Sequence, residues 1–156
     1  MDRSRREALK TGSGAGVLAL LFAAGIAKPG GILAQSANQT AFSMKTVPDA
    51  LRALGAESPA VSAAIQIKAP EIAENGAVVP IGIESKLPGT ESITLLIEKN
   101  PQPLAASFNI PAGTEPNVST RVKIGESSDV YALVKADGKF YMAKKEIKIT
   151  LGGCGG

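Results

Sequence analysis

The sequence predicts an all-β protein: an immunoglobulin-like antiparallel β-sandwich with a short N-terminal helix and a flexible C-terminal Gly-Gly-Cys-Gly-Gly arm. Between residues 64 and 151, short segments rich in Val, Ile and Thr alternate apolar and polar side chains, which is the period of a strand with one buried face. Turn-forming Pro, Gly, Asn and Asp residues separate these segments at intervals of about 8–12 residues, a spacing typical of sandwiches. The length of the chain fits one domain, which we place at residues 41–151.

A short helix precedes the predicted strands, within the stretch from Ala41 to Leu54. Pro48 and Asp49 can open a helix, the Ala-Leu-Arg-Ala-Leu run that follows favours it, and Gly55 would stop it. We expect about two helical turns, packed on the strands that follow.

The strands are predicted from their alternation and from the turns between them. Pro80 indicates that its strand lies at a sheet edge or carries a bulge. Asn75-Gly76 predicts a tight turn, and Asp137-Gly138 predicts a hairpin. The expected strands span residues 64–68, 78–85, 93–98, 104–110, 118–124, 129–135, 139–143 and 146–151.

The first 34 residues predict an export signal. A basic head containing Arg5 and Arg6 precedes an apolar run of thirteen residues from Ala15 to Ala27, which is too short to span a bilayer and therefore predicts no membrane anchor. The paired arginines resemble the bacterial twin-arginine export motif, with Ala8 where that motif usually has Phe. Cleavage is expected within residues 34–37, which would deliver the mature protein to the periplasm.

The charge distribution excludes a nucleic-acid-binding function. The first 34 residues carry five basic and two acidic side chains, which accounts for the whole net charge of +3. The remaining residues therefore hold twelve side chains of each sign. A neutral body cannot supply the phosphate-neutralising attraction that dominates nucleic-acid affinity.

The composition also excludes the common catalytic units. The chain has no histidine and one cysteine, so it can form neither a Ser-His-Asp nor a Cys-His pair within itself. Zinc and copper sites built from nitrogen and sulfur ligands are excluded for the same reason. We therefore expect no catalytic residue, no metal and no cofactor in this chain.

The C-terminal tail holds the strongest candidate site. Cys154, the only cysteine, stands between Gly152-Gly153 and Gly155-Gly156. Glycine visits φ values of either sign, and three extended steps from Leu151 would carry the thiol about 10 Å from the last strand. A thiol on such a stalk suits presentation to another protein's active site, which must also activate it, because nothing in the sequence around Cys154 would lower its pKa. The other interpretation is an unstructured terminus that happens to contain a cysteine.

Three blocks of the sequence resemble the SoxY family, the sulfur-carrier subunits of the periplasmic thiosulfate-oxidising system. The C-terminal block ends in Gly-Gly-Cys-Gly-Gly, preceded by Lys-Ile-Thr-Leu. The other two blocks are residues 69–76, followed by Val79-Pro80, and residues 139–143, entered from Gly138.

The resemblance implies a function and a set of partners. Cys154 would carry the sulfur intermediate as an S-linked adduct, on a sandwich bound to a SoxZ-like β subunit in a SoxYZ heterodimer. A c-type cytochrome would load thiosulfate oxidatively, a hydrolase would release sulfate, and a further enzyme would oxidise the remaining sulfane sulfur. The chain itself would be a non-catalytic carrier.

Two other hypotheses remain open at the level of the residues. The chain could be a structural β module that dimerises through a Cys154 disulfide. It could instead be a carrier that uses the terminal Gly155-Gly156 carboxylate as a thiocarboxylate, although that chemistry needs ATP, which an exported protein lacks.

Overall fold

The computed structural model describes residues 39–150. In this range nine strands form two packed sheets, and a short helix precedes them. This arrangement confirms the predicted β-sandwich. The elements are α1 (Val47–Ala53), β1 (Ala60–Val61), β2 (Ile65–Lys68), β3 (Ile72–Ala73), β4 (Val79–Ser85), β5 (Thr90–Ile97), β6 (Leu104–Asn109), β7 (Asn117–Val122), β8 (Ser128–Ala136) and β9 (Lys139–Ile149). Residues 39–42 are also helical. Within residues 39–150, no helix has the length and apolarity needed to cross a membrane.

The larger sheet has the strand order β1-β9-β8-β5-β6, and the smaller sheet has the order β2-β4-β7. Their long ladders are antiparallel, as predicted, and the ladder between β8 and β9 runs from Ser128 opposite Ile147 to Ala136 opposite Lys139. Two short strands, β1 and β3, pair in parallel with the outer edge of β9. The chain thus leaves the larger sheet after β1, crosses to the smaller sheet as β2, and returns as β3.

Aliphatic side chains from both sheets form the main core. Alternate residues of β4 and β5 point into it, because successive side chains of a strand face opposite ways. A second apolar cluster lies on the outer face of the larger sheet, where α1 covers Leu96 and Leu133. The fully buried side chains of the main core include Val79, Ile81, Ile83, Ile93, Leu95, Ile97, Ile124, Val130, Val134 and Ile147.

The helix begins at a capped residue and ends before a glycine. The hydroxyl of Thr46 accepts a hydrogen bond from the N–H of Asp49, which satisfies one of the unpaired donors of the first turn. Gly55 follows the helix with a φ of +74°, as the sequence predicts for a helix stop. Ala50 and Leu51 are buried, so one face of α1 is packed and the other is solvated.

Besides the two-residue strands β1 and β3, which were not predicted, the structure differs from the sequence prediction at β9 and at Pro80. Residues 139–143 and 146–151 were expected as two strands, whereas β9 is continuous from Lys139 to Ile149. Lys144 and Lys145 do not break it, because both pair with the backbone of β8, opposite Tyr131 and Val130.

The position of Pro80 is the second difference. It lies in β4, which is the central strand of the smaller sheet and not an edge strand. The last residue pair between β2 and β4 is Lys68 with Gly82, so Pro80 lies beyond the end of β2. On that side β4 is unpaired at Pro80, and the missing N–H breaks no ladder.

Candidate functional site

The predicted site residues lie outside the part of the chain that the structure describes. Cys154 and the glycines Gly152, Gly153, Gly155 and Gly156 are outside the described range of 39–150, as are Arg5 and Arg6 of the export signal. Cys154 follows Thr150 by four residues. A chain spans at most about 3.6 Å per residue, so Cys154 stays within about 14 Å of Thr150. We call Ile149 and Thr150 the tail root, because the C-terminal tail must start from them.

Ser127 holds the tail root on one side. The pairing between β8 and β9 ends with Ser128 opposite Ile147, so Ile149 has no backbone partner in β8. The Ser127 hydroxyl oxygen accepts a hydrogen bond from the N–H of Ile149 at 2.9 Å and lies 3.5 Å from its carbonyl oxygen, to which the hydroxyl donates. One side chain thereby replaces the missing strand partner.

The short parallel strand β3 holds the tail root on the other side. Ala73 lies opposite Ile149, and the N–H of Thr150 donates to the carbonyl of Ala73 at 3.2 Å. One residue pair earlier, the N–H of Lys148 donates to the carbonyl of Glu71 at 2.8 Å. The tail root is therefore bonded at both edges.

The predicted turn at Asn75-Gly76 lies against the tail root. The side-chain oxygen of Asn75 accepts from the N–H of Ala77 at 2.9 Å, and the carbonyl of Gly76 accepts from the N–H of Ile124 at 2.7 Å. A Cβ placed on Gly76 would lie 2.4 Å from the carbonyl oxygen of Ile124 and 3.2 Å from Cγ2 of Ile149. Glycine is required here for close approach, since its φ is not in the left-handed region.

Asn100 fixes the loop that carries Ser127. Its side-chain nitrogen donates to the carbonyl of Lys123 at 2.8 Å, and its side-chain oxygen accepts from the N–H of Gly125 at 3.2 Å. Asn100 lies just after β5, so its side chain ties the loop to the end of that strand before the loop reaches the tail root. No local sequence pattern points to Asn100 or Ser127, because both act on partners more than twenty residues away.

The surface around the tail root mixes charged and apolar side chains. Ile72 and Val78, at the two ends of the segment that wraps the tail root, are 59% and 52% exposed. A groove of about 270 Å³ lies beside β3, lined by Glu71, Ile72, Lys145, Glu146 and Lys148. Within residues 39–150, no group of three or more metal-ligating side chains is placed to bind a metal ion.

The clearest electrostatic contacts lie on the faces and turns of the sheets. The ammonium of Lys135 and the N–H of Gly138 both donate to Glu91, which lowers the pKa of this carboxyl. The carboxylate of Asp129, 2.8 Å from the ammonium of Lys144, raises the pKa of that lysine. These partly exposed pairs contribute little stability each.

The fold and the tail root define a β-sandwich domain whose last strand ends at Ile149, clamped on both edges, five residues before Cys154, the only cysteine of the chain. Comparison with protein-family models then identifies the family: residues 50–154 match the model described as sulfur oxidation protein SoxY, and the chain belongs to the SoxY family. Family membership confirms the resemblance inferred from the sequence and assigns the chain a carrier role in sulfur oxidation, within a system of partner proteins.

A solved structure supports the assignment. The sulfur carrier protein SoxY from Chlorobium limicola f thiosulfatophilum is 39% identical, with a TM-score of 0.62, over 71% of this chain and 97% of that chain. A superoxide reductase (neelaredoxin) from Ignicoccus hospitalis is 21% identical with a TM-score of 0.49, over 55% of this chain and 80% of that one. Comparison with curated protein sequences finds no match.

Proposed function

We propose that the chain carries sulfur intermediates of thiosulfate oxidation covalently, attached to the thiol of Cys154. The observation that carries this proposal is the family match, which extends through residue 154 and so includes the cysteine. The clamped tail root supports it, because a carrier must present its tail from a defined point. No histidine is present in the chain to act as a base, so the thiol is activated by the protein that it visits.

The proposed chemistry takes two steps on Cys154. In the first, the thiolate and thiosulfate form a disulfide-type bond between their sulfurs, and the two electrons released pass to a c-type cytochrome. In the second, water attacks the terminal sulfonate sulfur, and the bond between this sulfur and the neighbouring sulfane sulfur breaks. Sulfate and two protons are released, and a persulfide remains on Cys154. A further enzyme then oxidises the outer sulfur of that persulfide.

The proposed carrier works in the periplasm as a heterodimer. Arg5 and Arg6 support export by the twin-arginine route, and a SoxZ-like β subunit is the expected companion. The sandwich and its tail supply attachment and presentation, while the partner enzymes supply electron acceptors, bases and metals. On this proposal the chain is a non-catalytic subunit.

The test uses the complete heterodimer with thiosulfate and the partner enzymes. Mass spectrometry of the wild-type chain should find a thiosulfate-derived adduct on Cys154, and Cys154→Ser should abolish both the adduct and sulfate release. Deletion of Gly155 and Gly156 should leave a detectable adduct, which separates thiol chemistry from a C-terminal thiocarboxylate. Sulfate release by Cys154→Ser at the wild-type rate would reject the carrier role and would favour a disulfide-linked structural module.

A further inference from the structure

The only Asn-Gly dipeptide of the chain, Asn75-Gly76, lies in a turn next to the tail root. The N–H of Val78 donates to the carbonyl of Asn75 at 3.4 Å, which closes the turn, and Asn75 is exposed. An asparagine can react with the residue that follows it: the next backbone nitrogen attacks the side-chain amide carbon and expels ammonia. Glycine favours this attack because no Cβ stands beside its nitrogen.

The turn leaves both reacting groups of this dipeptide ready for the attack. The side-chain oxygen of Asn75 accepts the N–H of Ala77 at 2.9 Å. A backbone donor therefore already points at the oxygen that gains negative charge when the amide carbon is attacked. Among residues 39–150, the N–H of Gly76 donates no hydrogen bond. The attacking nitrogen thus has no partner to give up before it loses its proton.

The other asparagines within residues 39–150 are less suited to the same reaction. Asn100 precedes a proline, whose nitrogen carries no proton. Asn109 precedes Ile110, whose N–H already donates to the carbonyl of Glu91 at 2.8 Å. Asn117 precedes a β-branched valine within β7. The reaction is therefore expected at Asn75 before any of these three positions.

We propose that Asn75 is a site of spontaneous deamidation and that its isoaspartate product loosens the tail root. The nitrogen of Gly76 loses its proton to hydroxide and bonds to Cγ of Asn75, and the amide group takes up a proton and leaves as ammonia. The product is a five-membered succinimide. Water then opens this ring at either carbonyl, which gives aspartate or isoaspartate at position 75. Each conversion consumes one water, releases one ammonia and changes no oxidation state.

The isoaspartate product does not fit the space that the turn occupies. In isoaspartate the main chain runs through the side-chain carbons and is longer by one carbon atom. Gly76 has no room to shift, because even a Cβ placed on it would lie 2.4 Å from the carbonyl oxygen of Ile124. The hydrogen bond from the N–H of Ile124 to the carbonyl of Gly76 should therefore weaken. The tail root should loosen as well, since Ile149 lies against Gly76 and opposite Ala73.

The first measurement follows deamidation in the heterodimer at mildly alkaline pH, by peptide mapping with mass spectrometry. An isoaspartyl methyltransferase labels the isoaspartate that forms. Conversion at Asn75 should exceed that at Asn109 and Asn117 by about tenfold or more, which requires a barrier difference of only about 1.4 kcal/mol. Conversion at Asn75 should also be at least as fast in the folded protein as in guanidinium chloride, because the turn already leaves the reacting groups ready.

The second measurement compares the chromatographically separated isoaspartate form with fresh wild type. Its melting temperature should be lower, and hydrogen exchange at Ile124 and Thr150 should be about fivefold faster or more. Asn75→Ser is the matched control, because its hydroxyl can accept the N–H of Ala77 in the same kind of turn but has no amide to lose. This variant should keep its melting temperature during the same incubation. Fresh Asn75→Asp adds the charge without the extra main-chain carbon and should melt close to wild type.

Each contrary result would overturn one part of the proposal. Slower conversion in the folded protein than in guanidinium chloride would mean that the turn protects Asn75. Equal exchange at Thr150 in the isoaspartate form and the wild type would mean that the product does not affect the tail root. An equal loss of melting temperature in incubated Asn75→Ser would assign the change to other damage. Because no atom of Cys154 takes part in these measurements, each of these results leaves the proposed carrier function standing.

Discussion

The hydroxyl of Ser127 hydrogen-bonds both the N–H and the carbonyl of Ile149, at 2.9 Å and 3.5 Å. This contact begins where the backbone pairing between β8 and β9 ends, so a side chain extends the sheet by two residues. On its other edge Ile149 lies opposite Ala73 of β3. The last strand therefore stays ordered up to Thr150, and the C-terminal tail starts from a fixed point.

Ser127→Ala should loosen the tail root without changing the fold. The variant leaves the N–H of Ile149 without its partner, which costs about 1 kcal/mol. Hydrogen exchange measured by NMR should therefore be about fivefold faster at Ile149 and unchanged at Ile147, which pairs with the β8 backbone. Ser119→Ala, on an exposed position of β7, is the control and should change neither rate. Equal exchange at Ile149 in the wild type and Ser127→Ala would show that β3 alone holds the tail root.

Gly76→Ala should destabilise the domain, because the new methyl carbon would lie 2.4 Å from the carbonyl oxygen of Ile124. That atom belongs to the backbone, so the turn or the strand must shift, at a cost of about 1–3 kcal/mol. The melting temperature should fall by about 5–15 °C. Thermal unfolding followed by circular dichroism measures this difference.

Gly125→Ala is the matched control for Gly76→Ala. Its nearest neighbour would be the side-chain oxygen of Asn100 at 3.9 Å, and its φ is not in the left-handed region. The substitution should be neutral or should stabilise the domain by less than about 1 kcal/mol. A fall in melting temperature as large as that of Gly76→Ala would mean that the close approach to Ile124 is not the cause.

The sequence predicts those parts of the fold that local periodicity encodes. Alternation places Ile81 and Ile83 on one face, and the structure buries both in the main core. Asp137-Gly138 predicts its hairpin, because both residues must adopt positive φ, here +47° and +72°. Periodicity cannot predict β1 and β3, because two residues have no period and their pairing depends on β9, which lies far along the chain.

The candidate site likewise contains residues that a local pattern predicts and residues that act only through contacts distant in the sequence. Cys154 stands out from the sequence because one reactive residue among glycines is a local pattern. Ser127 and Asn100 do not, because serine and asparagine are ordinary loop residues, and their importance comes from contacts across 22 and 25 residues. Gly76 was predicted as a turn residue, but its role also includes close approach to Ile124 and Ile149.

The stability contributed by Glu91 should decrease at acidic pH. Its carboxyl pKa is lowered from 4.5 by the hydrogen bonds from Lys135 and Gly138, so its contribution is complete above about pH 4.5 and is lost as the pH falls through the folded-state value. At pH 7, Glu91→Gln should therefore have a slightly lower melting temperature than the wild type. The loss in free energy of unfolding should be about 0.5 kcal/mol or less, because the pair is partly exposed and screened. The difference should shrink as the pH falls below 4.5.

Melting curves of the wild type and Glu91→Gln between pH 7 and pH 3 measure this effect. Glu115→Gln is the control, because Glu115 is exposed and forms no salt bridge among residues 39–150. A difference for Glu91→Gln that grows on acidification would have the wrong sign for a lowered carboxyl pKa and would contradict the prediction.

Shortening the tail should impair transfer while leaving the sandwich intact. Deletion of Gly152 and Gly153 reduces the maximum span between Thr150 and Cys154 by about 7 Å and removes no residue of the clamp formed by Ser127 and Ala73. We expect an unchanged melting temperature and a fall of at least tenfold in enzyme-dependent sulfate release, because a misplacement of a few ångströms prevents a reactive geometry. Replacing the same two glycines with serines keeps the length and should cost less activity than the deletion. Sulfate release by the shortened chain at the wild-type rate would mean that the reach of the tail does not limit transfer. In that case the partner enzymes would have to reach the thiol while in contact with the tail root.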